Sequence, residues 1–496
     1  MLFGIDFGTT RTIVAQADRG NYPIVSFTDE EGDPQEYFPS VVALQGDRLL
    51  HGFEARAAAR EGAPMVRSFK RALGAATANP GTTLTIGDRT LPLLDVLSEY
   101  LVALRGAIEA ELGSIGTPRA VVSVPAHAHG GQRFMTLEAF RRAGFDVIAV
   151  INEPSAAGFE YTHRQPRTLT SRRTQVVVYD LGGGTFDASL VQADGTSHAV
   201  LGSAGVNQLG GDDFDSVLAE VALERAGRRA GSLTTPELEA LVDDCREAKE
   251  RLAPQSKRIV LEVAGVPLVL GVDEFYAAAT PLVEQSLAVM DGLVASLAED
   301  EALASVAGIY LVGGGSGLPL VSRLLRQRFG RRVHRSPYPA ASTAIGLAIA
   351  ADPASGYSLT DRLSRGFGVF RERDAGHSLG FDQIFSRDEV LPDSGVLTVT
   401  RRYQAAHNLG WFRYVEYSSV DDAGEPRGDL VPFAEVLFPF DSALQGGGSL
   451  ADVTVERREG GLVEERYTVD ANGIIAVTIT DLTTGYSQSH ALGSRG

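Results

Sequence analysis

Two short stretches of the sequence combine glycine, threonine and aspartate in a pattern that suits phosphate binding. The longer one is YDLGGGTFD at residues 179–187, and the shorter one is IDFGTT at residues 5–10. Glycine lets the backbone come close to a ligand, and successive N–H groups can hold phosphate oxygens. Asp180 and Asp187, near the two ends of the longer stretch, can hold a Mg²⁺ ion directly or through water. The pattern therefore predicts a site for a polyphosphate with its magnesium ion.

Each of these stretches is expected to form the turn of a β-hairpin. TQVVV precedes the three glycines and an alternating run follows them at once, whereas a dinucleotide-binding or Walker loop would open a helix. MLFGIDFGTTRTIVAQ repeats the arrangement, and LVGGGSG at residues 311–317 adds a third glycine turn. Two hairpins that face each other would clamp a polyphosphate from both sides, so we expect a duplicated α/β unit with the ligand between its halves. The alternative, that both are merely tight turns, does not explain the aspartates and threonines.

The composition excludes several classes of function. The chain has 496 residues and a formal net charge of -18, which argues against nucleic acid or an anionic membrane as the main partner. Its single cysteine, Cys245, excludes an intramolecular disulfide and fits a reducing compartment. The sequence shows neither an apolar run of about 18 residues nor a basic, then apolar, leader. We expect a cytoplasmic protein.

The hydrophobic pattern changes once along the chain. Up to about residue 350, short strand patterns alternate with amphipathic helical patterns such as LLDVLSEYLVALRGAIEAEL, which is typical of α/β layers. Residues 353–362 are polar and rich in turn formers. Beyond them we find only strand patterns, including DANGIIAVTIT with its Asn472–Gly473 hairpin turn. We predict an α/β domain over 1–352, a linker over 353–362 and a small all-β domain over 363–496.

With these segments in place, the chain resembles the heat-shock 70 kDa chaperone family of DnaK type, within the superfamily of actin-like and sugar-kinase-like ATPases. The resemblance rests on GIDFGTT, INEPSAA, VYDLGGGTFD, QLGGDDFD, REAKERL and IYLVGGGSGLP, which occur in family order, and more weakly on HNLGWF and YTVDANGIIAVTITD in the β-domain. It covers nearly the whole chain, strongly to about residue 350 and moderately after. It implies a duplicated actin-like (ribonuclease H-like) ATPase domain, followed by a β-sandwich that binds substrate. The sequence ends directly after this β-domain, so the helical lid of the family is expected to be absent.

The resemblance also implies roles for individual residues, with ATP or ADP and Mg²⁺ as cofactors. Asp6 and Asp180 are expected near the Mg²⁺ ion, largely through water. The implied catalytic residues are Lys70, Glu153, Asp180, Thr185 and Asp187. The implied nucleotide-binding residues are Asp6, Gly8, Thr9, Thr10, Gly182, Gly183, Gly184, Gly210, Gly211, Lys249, Gly314, Gly315 and Ser316.

Three departures from the family pattern bear on function. Gly317 stands where the family has an arginine that stacks on adenine, and Ala253 stands where its adenine-binding helix has serine. The linker keeps Leu359 and Asp361 but lacks the leucine run that couples the two domains. Ala149 replaces a basic residue that helps to dock J-domain cochaperones.

These observations favour an ATP-dependent chaperone-like protein in which slow hydrolysis controls binding of an extended or unfolded polypeptide by the β-domain. The alternative is a nucleotide-binding regulatory or scaffold protein whose β-domain binds one dedicated partner. A small-molecule kinase is a third interpretation, which the separate β-domain does not support. A J-domain cochaperone and a nucleotide-exchange factor are the further partners that the resemblance implies.

Overall fold

The computed structural model describes residues 1–75, 78–166, 169–170, 173–295, 305–374, 377–446 and 448–491. These residues form a mixed α/β protein with more strands than helices. The helices are α1 (Gly52–Arg60), α2 (Leu93–Leu112), α3 (Gly130–Arg142), α4 (Glu153–Arg164), α5 (Gly211–Arg225), α6 (Thr235–Glu250), α7 (Val272–Ala295), α8 (Pro319–Phe329) and α9 (Ser342–Ala351). The strands are β1 (Leu2–Phe7), β2 (Arg11–Gln16), β3 (Phe27–Thr28), β4 (Pro34–Gln35), β5 (Phe38–Pro39), β6 (Val41–Gln45), β7 (Arg48–His51), β8 (Met65–Arg67), β9 (Thr83–Ile86), β10 (Arg89–Pro92), β11 (Arg119–Val124), β12 (Asp146–Asn152), β13 (Gln175–Leu181), β14 (Phe186–Asp194), β15 (Ser197–Val206), β16 (Arg258–Val263), β17 (Val266–Gly271), β18 (Val306–Val312), β19 (Val333–Arg335), β20 (Ser358–Thr360), β21 (Gly366–Arg373), β22 (Ser378–Phe385), β23 (Val396–Gln404), β24 (Leu409–Val420), β25 (Pro426–Pro439), β26 (Leu462–Asp470), β27 (Ile475–Asp481) and β28 (Ser487–Ala491).

The chain divides into two compact units. Unit 1 consists of residues 1–71, 103–126 and 145–359, and unit 2 of residues 72–102, 127–144 and 360–496. Unit 1 contains the three glycine turns. Unit 2 contains the strand-rich last part of the chain together with two earlier segments. The three-segment division at residues 352 and 362 stays a prediction.

Unit 1 contains two large sheets with the same arrangement of strands. One has the order β12-β11-β1-β2-β5 and the other the order β19-β18-β13-β14-β15-β20. In each sheet an antiparallel hairpin, β1–β2 or β13–β14, has two parallel strands on one side. In each hairpin, one of the first two glycine turns connects the two strands, as the sequence predicts. Each turn therefore lies at the same edge of its own sheet, after a buried strand.

Helices α4 and α9 connect the two sheets of unit 1. Helix α9 packs on β1 and β2, α4 packs on β13 and β14, and the two helices pack against each other. A glycine at each contact allows this close packing. A Cβ on Gly4 would overlap Ala348, and one on Gly346 would overlap Ala156. The apolar run STAIGLAIAA of α9 is accordingly buried almost throughout. This packing fixes the first residue of α4, Glu153, relative to both hairpins.

Strand β20 lies inside the predicted linker and extends the six-stranded sheet. The backbone N–H of Ser358 donates to the carbonyl oxygen of Thr196 over 3.1 Å. Tyr357, just before this strand, packs its ring against Phe159 and His198 of unit 1. The sequence predicts only a polar, turn-rich segment here, because three residues are too few to give a strand pattern.

Unit 2 contains two four-stranded antiparallel sheets around a shared apolar core. Their orders are β22-β21-β24-β25 and β23-β26-β27-β28. Ile475, Val477 and Ile479 alternate into this core from β27, as the sequence pattern predicts. The turn before β27 contains Gly473 with a φ of 73°, which is the left-handed conformation that glycine favours.

A charged group is buried inside this core. Arg371 donates to both carboxylate oxygens of Glu465, over 3.0 and 2.6 Å, and to Asp382 over 2.7 Å. The hydroxyls of Tyr403 and Tyr467 also donate to Glu465, whose side chain is fully buried. The carboxylate is thus fully satisfied, which is what makes a buried charge tolerable.

None of the helices within the described residues is both long enough and apolar enough to cross a membrane.

The buried histidine of β15 should make unit 1 sensitive to acid. His198 Nε2 lies 3.1 Å from Oγ1 of Thr162, and burial lowers the pKa of His198 from 6.5 to about 4. Between these two values the unfolded chain binds a proton that the folded chain does not, so folding stability falls as the pH falls. When the pH falls from about 7 to about 5, protonation of this residue in the unfolded chain should lower the free energy of unfolding by about 2 kcal/mol.

We expect His198→Gln to lose less stability over that pH range than the wild type, measured by chemical denaturation. The exposed His377 provides the control, since His377→Gln should keep the wild-type pH dependence. An unchanged pH dependence in His198→Gln would show that His198 is not the group that titrates.

The partly buried Arg371 of unit 2, which pairs with the fully buried Glu465, should be costly to remove alone. Arg371→Met leaves the charge of Glu465 without its cation, and we expect a loss of about 3–5 kcal/mol in unfolding free energy. The double variant Arg371→Met/Glu465→Leu should recover most of this loss. Arg402, which is 65% exposed and pairs with Glu464, provides the control: Arg402→Met should cost under about 1 kcal/mol. Equal losses in Arg371→Met and Arg402→Met would contradict this account.

Candidate functional site

The two glycine hairpins of unit 1 face each other at very short range. A Cβ atom on Gly183 would lie 2.6 Å from Oγ1 of Thr10, and one on Gly184 would lie 3.0 Å from Oγ1 of Thr9. A side chain at either glycine would therefore push the opposite turn away. Within the first turn, the hydroxyl of Ser40 donates to the carbonyl oxygen of Gly8 over 2.8 Å. The predicted pairing of the two phosphate-binding turns is thus present in the geometry.

The start of α5 closes one side of this pair. The backbone N–H of Gly211 donates to the carbonyl of Gly182 over 2.9 Å, and that of Asp212 donates to Gly183 over 2.8 Å. A Cβ on Gly210 would lie 2.5 Å from the backbone of Gly183 and Gly184. Thr185 closes the hairpin turn itself, since its carbonyl accepts from Gly182 over 3.0 Å.

The third glycine turn closes the opposite side. Gly313 has a φ of 80°, and a Cβ there would overlap the carboxylate of Asp180 and the carbonyl of Leu181. A Cβ on Gly315 would lie 2.9 Å from the carbonyl oxygen of Gly182, whereas Gly314 borders open space. Ser316 is buried and its hydroxyl donates to Gly313 over 2.7 Å, so it stabilises the turn. All three glycine turns therefore meet at Gly182–Gly184.

Four carboxylates lie at the base of this arrangement. Asp180 and Asp187 are directly opposite each other in the β13–β14 pairing, so their side chains share one face of the sheet. Asp187 accepts from the backbone N–H of Ala126 over 2.8 Å, and Asp6 accepts from the hydroxyl of Ser123 over 3.0 Å. Glu153 is the first residue of α4, where the helix N-terminus favours a negative side chain.

Lys70 is the cation that faces these carboxylates. It is 4% exposed, and its ammonium group donates to the carbonyl of Phe7 and to Glu153 Oε1, the latter over 3.3 Å. The ammonium also lies 5.1 Å from the centre of the Phe7 ring. The short helical turn Phe69–Gly74 holds Lys70 in place.

Burial raises the pKa values of three of these carboxylates, and crowding adds to the rise at two of them. Burial raises the pKa of Glu153 to about 7; Lys70 opposes this rise, and Asp6 and Asp187 add to it. Burial, with the negative charges of Glu153, Asp6 and Asp187, raises the pKa of Asp180 well above its usual value. The pKa of Asp6 is also raised by burial, against the effects of Lys70 and Ser123. A further positive charge beside these carboxylates, in addition to that of Lys70, would lower their pKa values.

The donor set fits Mg²⁺ with a polyphosphate. It consists of oxygen ligands, which hard divalent cations prefer, next to backbone turns without side chains. Within the described residues, one group of three or more potential metal ligands has its ligand atoms all within 4.8 Å of one another, and it consists of Asp29, Glu31 and Asp33. Asp6 and Asp180 do not form so tight a group, and an ion held through its water shell does not require one. Their role as ligands through water stays a prediction.

Lys249 is the one implied nucleotide-binding cation outside this cluster. It is 9% exposed, and its ammonium group contacts Asp215 at 2.6 Å and the carbonyl of Gly211 at 2.7 Å. Its position beside Gly211 places it on the α5–α6 side of the glycine turns. Asp215 neutralises the charge of Lys249. Asp215 and Gly211 both belong to α5, so these two contacts stabilise the start of that helix.

A set of polar contacts across the site was not foreseen from the sequence. Ser68 has a φ of 51°, unusual for a residue with a side chain, and its hydroxyl donates to Asp212 over 2.7 Å. Arg71 donates to Asp213 over 3.2 Å, and Arg67 pairs with Asp243. These contacts hold the segment around Lys70 against α5 and α6. The positive residues of MVRSFKRALG indicate that this segment makes ion pairs, but the sequence does not identify the partners, which are more than 140 residues away.

Comparison with known proteins identifies the family. A sequence model described as Hsp70 protein matches residues 80–364, more than half of the chain. The chain is 29% identical over 522 residues to the chaperone protein HscA of Serratia proteamaculans, covering 98% of this chain and 77% of that protein. HscA of Escherichia fergusonii is 30% identical over 515 residues with the same coverage. A HscA homolog of Burkholderia pseudomallei is 33% identical over 381 residues, covering 71% of this chain and 58% of that protein.

These matches confirm the resemblance that the glycine turns and INEPSAA indicate. The two HscA matches of 29% and 30% identity each cover 98% of the chain and therefore extend over both units. The chain therefore belongs to the Hsp70 family of ATP-dependent chaperones and is an ATPase.

Proposed function

We propose that ATP binds between the glycine turns of unit 1, with its phosphates against Thr9, Thr10 and Gly182–Gly184. The observation that carries this proposal is the contact between the two hairpins, where a Cβ on Gly183 would reach Thr10. Thr10 faces Gly183 and Thr9 faces Gly184 there, and neither glycine has a side chain that would cover its backbone. Backbone of this kind suits phosphate oxygens, which are small, strongly charged acceptors.

The equal strand order of the two large sheets supports an actin-like duplicated domain. Each sheet supplies one of the two hairpins proposed to bind phosphate. The five strands β12-β11-β1-β2-β5 correspond in order to β19-β18-β13-β14-β15, and β20 is an additional strand of the second sheet. Under this proposal, residues 1–352 form the ATPase domain. Opening or closing of its two halves would change the distance between the two turns.

Lys70 and Glu153 act together in the proposed site. When bound, Mg²⁺ neutralises phosphate charge and so lowers the energy of phosphoryl transfer. Lys70 is buried and fixed by Phe7 and Glu153, so it can place a positive charge beside the transferred phosphoryl group. Glu153, whose pKa is raised to about 7, orients Lys70 and the water around the metal.

Asp187 and Thr185 position the attacking water and the terminal phosphate. Asp187 is held by the N–H of Ala126, which leaves its carboxylate in a fixed direction. Asp180, which shares one face of its sheet with Asp187, and Asp6 of the other sheet would hold the metal through its water shell. No covalent nucleophile is required, since phosphoryl transfer depends on positioning and charge stabilisation.

The β-domain formed by residues 363–496 is proposed to bind an extended or unfolded polypeptide, with ATP hydrolysis controlling the binding. Two four-stranded sheets provide edge strands β22, β23, β25 and β28, and strand edges are surfaces on which extended peptides form backbone hydrogen bonds. A J-domain cochaperone and a nucleotide-exchange factor stay predicted partners. ATP turnover would reset the conformation of the protein.

Lys70→Ala should separate ATP binding from ATP hydrolysis. We expect turnover to fall about a hundredfold, because the variant loses a fixed charge at the reacting phosphate. ATP affinity should change far less, because the glycine turns remain. The measurement is single-turnover hydrolysis of radiolabelled Mg·ATP, with equilibrium ATP binding measured on the same preparations.

The exposed Lys257 provides the matched control, and Lys257→Ala should hydrolyse ATP at the wild-type rate. If Lys70→Ala kept wild-type turnover, the catalytic role of Lys70 would be wrong. If the wild type bound ATP but did not hydrolyse it, the site would be a binding site alone.

A further inference from the structure

A buried carboxylate in unit 1 lies outside the proposed nucleotide site. It belongs to Glu160 of α4, whose side chain is fully buried. The hydroxyl of Tyr310, in β18, donates to this carboxylate, and the guanidinium of Arg164, which is 38% exposed, also contacts it. The chemistry proposed for the nucleotide site does not involve any of these three groups. Packing alone does not explain them either, because an apolar pair would fill the same place without desolvating a carboxylate.

Hydrogen bonds connect this carboxylate to the first residue of α9. Tyr310 makes a second hydrogen bond, with the hydroxyl of Ser336, which follows β19. The hydroxyl of Ser342, the first residue of α9, lies 2.6 Å from that of Ser336 and donates to the carbonyl of Tyr338 over 2.9 Å. Ser336 and Ser342 are both buried. We call Glu160, Tyr310, Ser336 and Ser342 the buried network, and it holds the start of α9.

The second residue of α9, Thr343, contacts a carboxylate of the proposed magnesium site. Its side chain is 4% exposed, and its hydroxyl donates to the carboxylate of Asp180. Asp180 also lies against the third glycine turn, where a Cβ on Gly313 would be 2.4 Å from its Oδ1 atom. The N–H of Gly313 donates over 2.7 Å to the carbonyl of Pro339, in the segment that leads into α9. Asp180 is therefore held by the start of α9 and by a turn bonded to that segment.

The direction of this carboxylate matters for a hydrated cation. Mg²⁺ requires near-octahedral geometry and gives up its waters reluctantly, so a carboxylate that acts through those waters must present its oxygens at fixed positions. A hydroxyl that donates to a carboxylate restrains it and favours its ionised form. Thr343 provides such a hydroxyl from a helix whose first residue is itself fixed.

We propose that Thr343 is a positioning residue, which orients Asp180 toward the magnesium ion of the bound nucleotide, and that the buried network fixes Thr343. This rests on the proposed function, since it assumes that a magnesium nucleotide binds at the glycine turns. The proposal gives Glu160 and Tyr310 a role in the site without any contact with the nucleotide. They act through the first turn of α9.

The test is a calorimetric titration of the full chain with ADP, once with Mg²⁺ and once with EDTA in its place. ADP avoids turnover during the titration. The quantity compared is the ratio of the dissociation constant in EDTA to that in Mg²⁺, which should exceed one in the wild type. In Thr343→Val this ratio should fall about tenfold, because the restraint on Asp180 is lost. The affinity in EDTA should keep its wild-type value, since valine has the shape of threonine.

Two further variants separate the hydroxyl from packing. Thr343→Ser keeps the hydroxyl and should restore most of the wild-type ratio. Thr280→Val is the matched control, because the hydroxyl of Thr280 donates over 2.7 Å to the carbonyl of Tyr276 within α7. This variant should show the wild-type ratio.

Tyr310→Phe tests the buried network at a distance from the nucleotide. It removes one hydroxyl, and the ratio should fall about threefold with no change in the affinity in EDTA. The double variant Tyr310→Phe/Thr343→Val should show the same ratio as Thr343→Val alone. The reason is that the hydroxyl through which the network acts is already absent.

Several results would overturn the role of Thr343 while leaving the proposed function intact. They are a wild-type ratio in Thr343→Val, an equal loss of ADP affinity in Mg²⁺ and in EDTA, and a failure of Thr343→Ser to restore the ratio. Additive losses in the double variant would overturn the role of the buried network. A wild type that binds no ADP, or binds it equally with and without Mg²⁺, would instead overturn the proposed function, and this inference with it.

Discussion

The site depends on one electrostatic constraint, which is that three buried carboxylates and the partly buried Asp6 share a single buried ammonium group. Burial raises the pKa values of Asp6, Glu153 and Asp180, and neighbouring carboxylates add to the rise for Glu153 and Asp180. Lys70 compensates only in part. The packing of α4 against both sheets keeps Glu153 at this position and so maintains the crowding. A Mg²⁺ ion beside these carboxylates would relieve their repulsion, because the ion adds positive charge that the protein lacks.

A second constraint is steric and concerns the glycine turns. Gly183, Gly184, Gly210 and Gly315 leave no room for a Cβ atom, because in each case another turn lies against them. The three turns must therefore move together or separate as units. Ser68, Arg67 and Arg71 add polar contacts between the segment of Lys70 and helices α5 and α6. Closure of the turns and placement of Lys70 are in this way mechanically connected.

The sequence predicts those parts of the structure that depend on local pattern. The hairpins around Gly182–Gly184 and Gly8, the alternation of Val477 in β27 and the glycine turn at Gly473 follow from the period and type of neighbouring residues. The family itself could be identified from motif order. The pairing of Arg71 with Asp213 could not, because an arginine side chain carries no local signal that names a distant partner. The polar contact of Ser316 with Gly313 also depends on how the turn closes.

The most direct test is the number of protons released when Mg·ATP binds at about pH 7, obtained from calorimetric titrations in buffers of different ionisation enthalpy. Because burial raises the pKa of Glu153 to about 7 and that of Asp180 well above its usual value, a Mg²⁺ ion beside them should lower both pKa values and release protons. The account predicts binding with net proton release in the wild type, and a smaller release in Asp180→Asn. Binding without proton release, or with proton uptake, would contradict the view that these carboxylates are what the magnesium nucleotide stabilises.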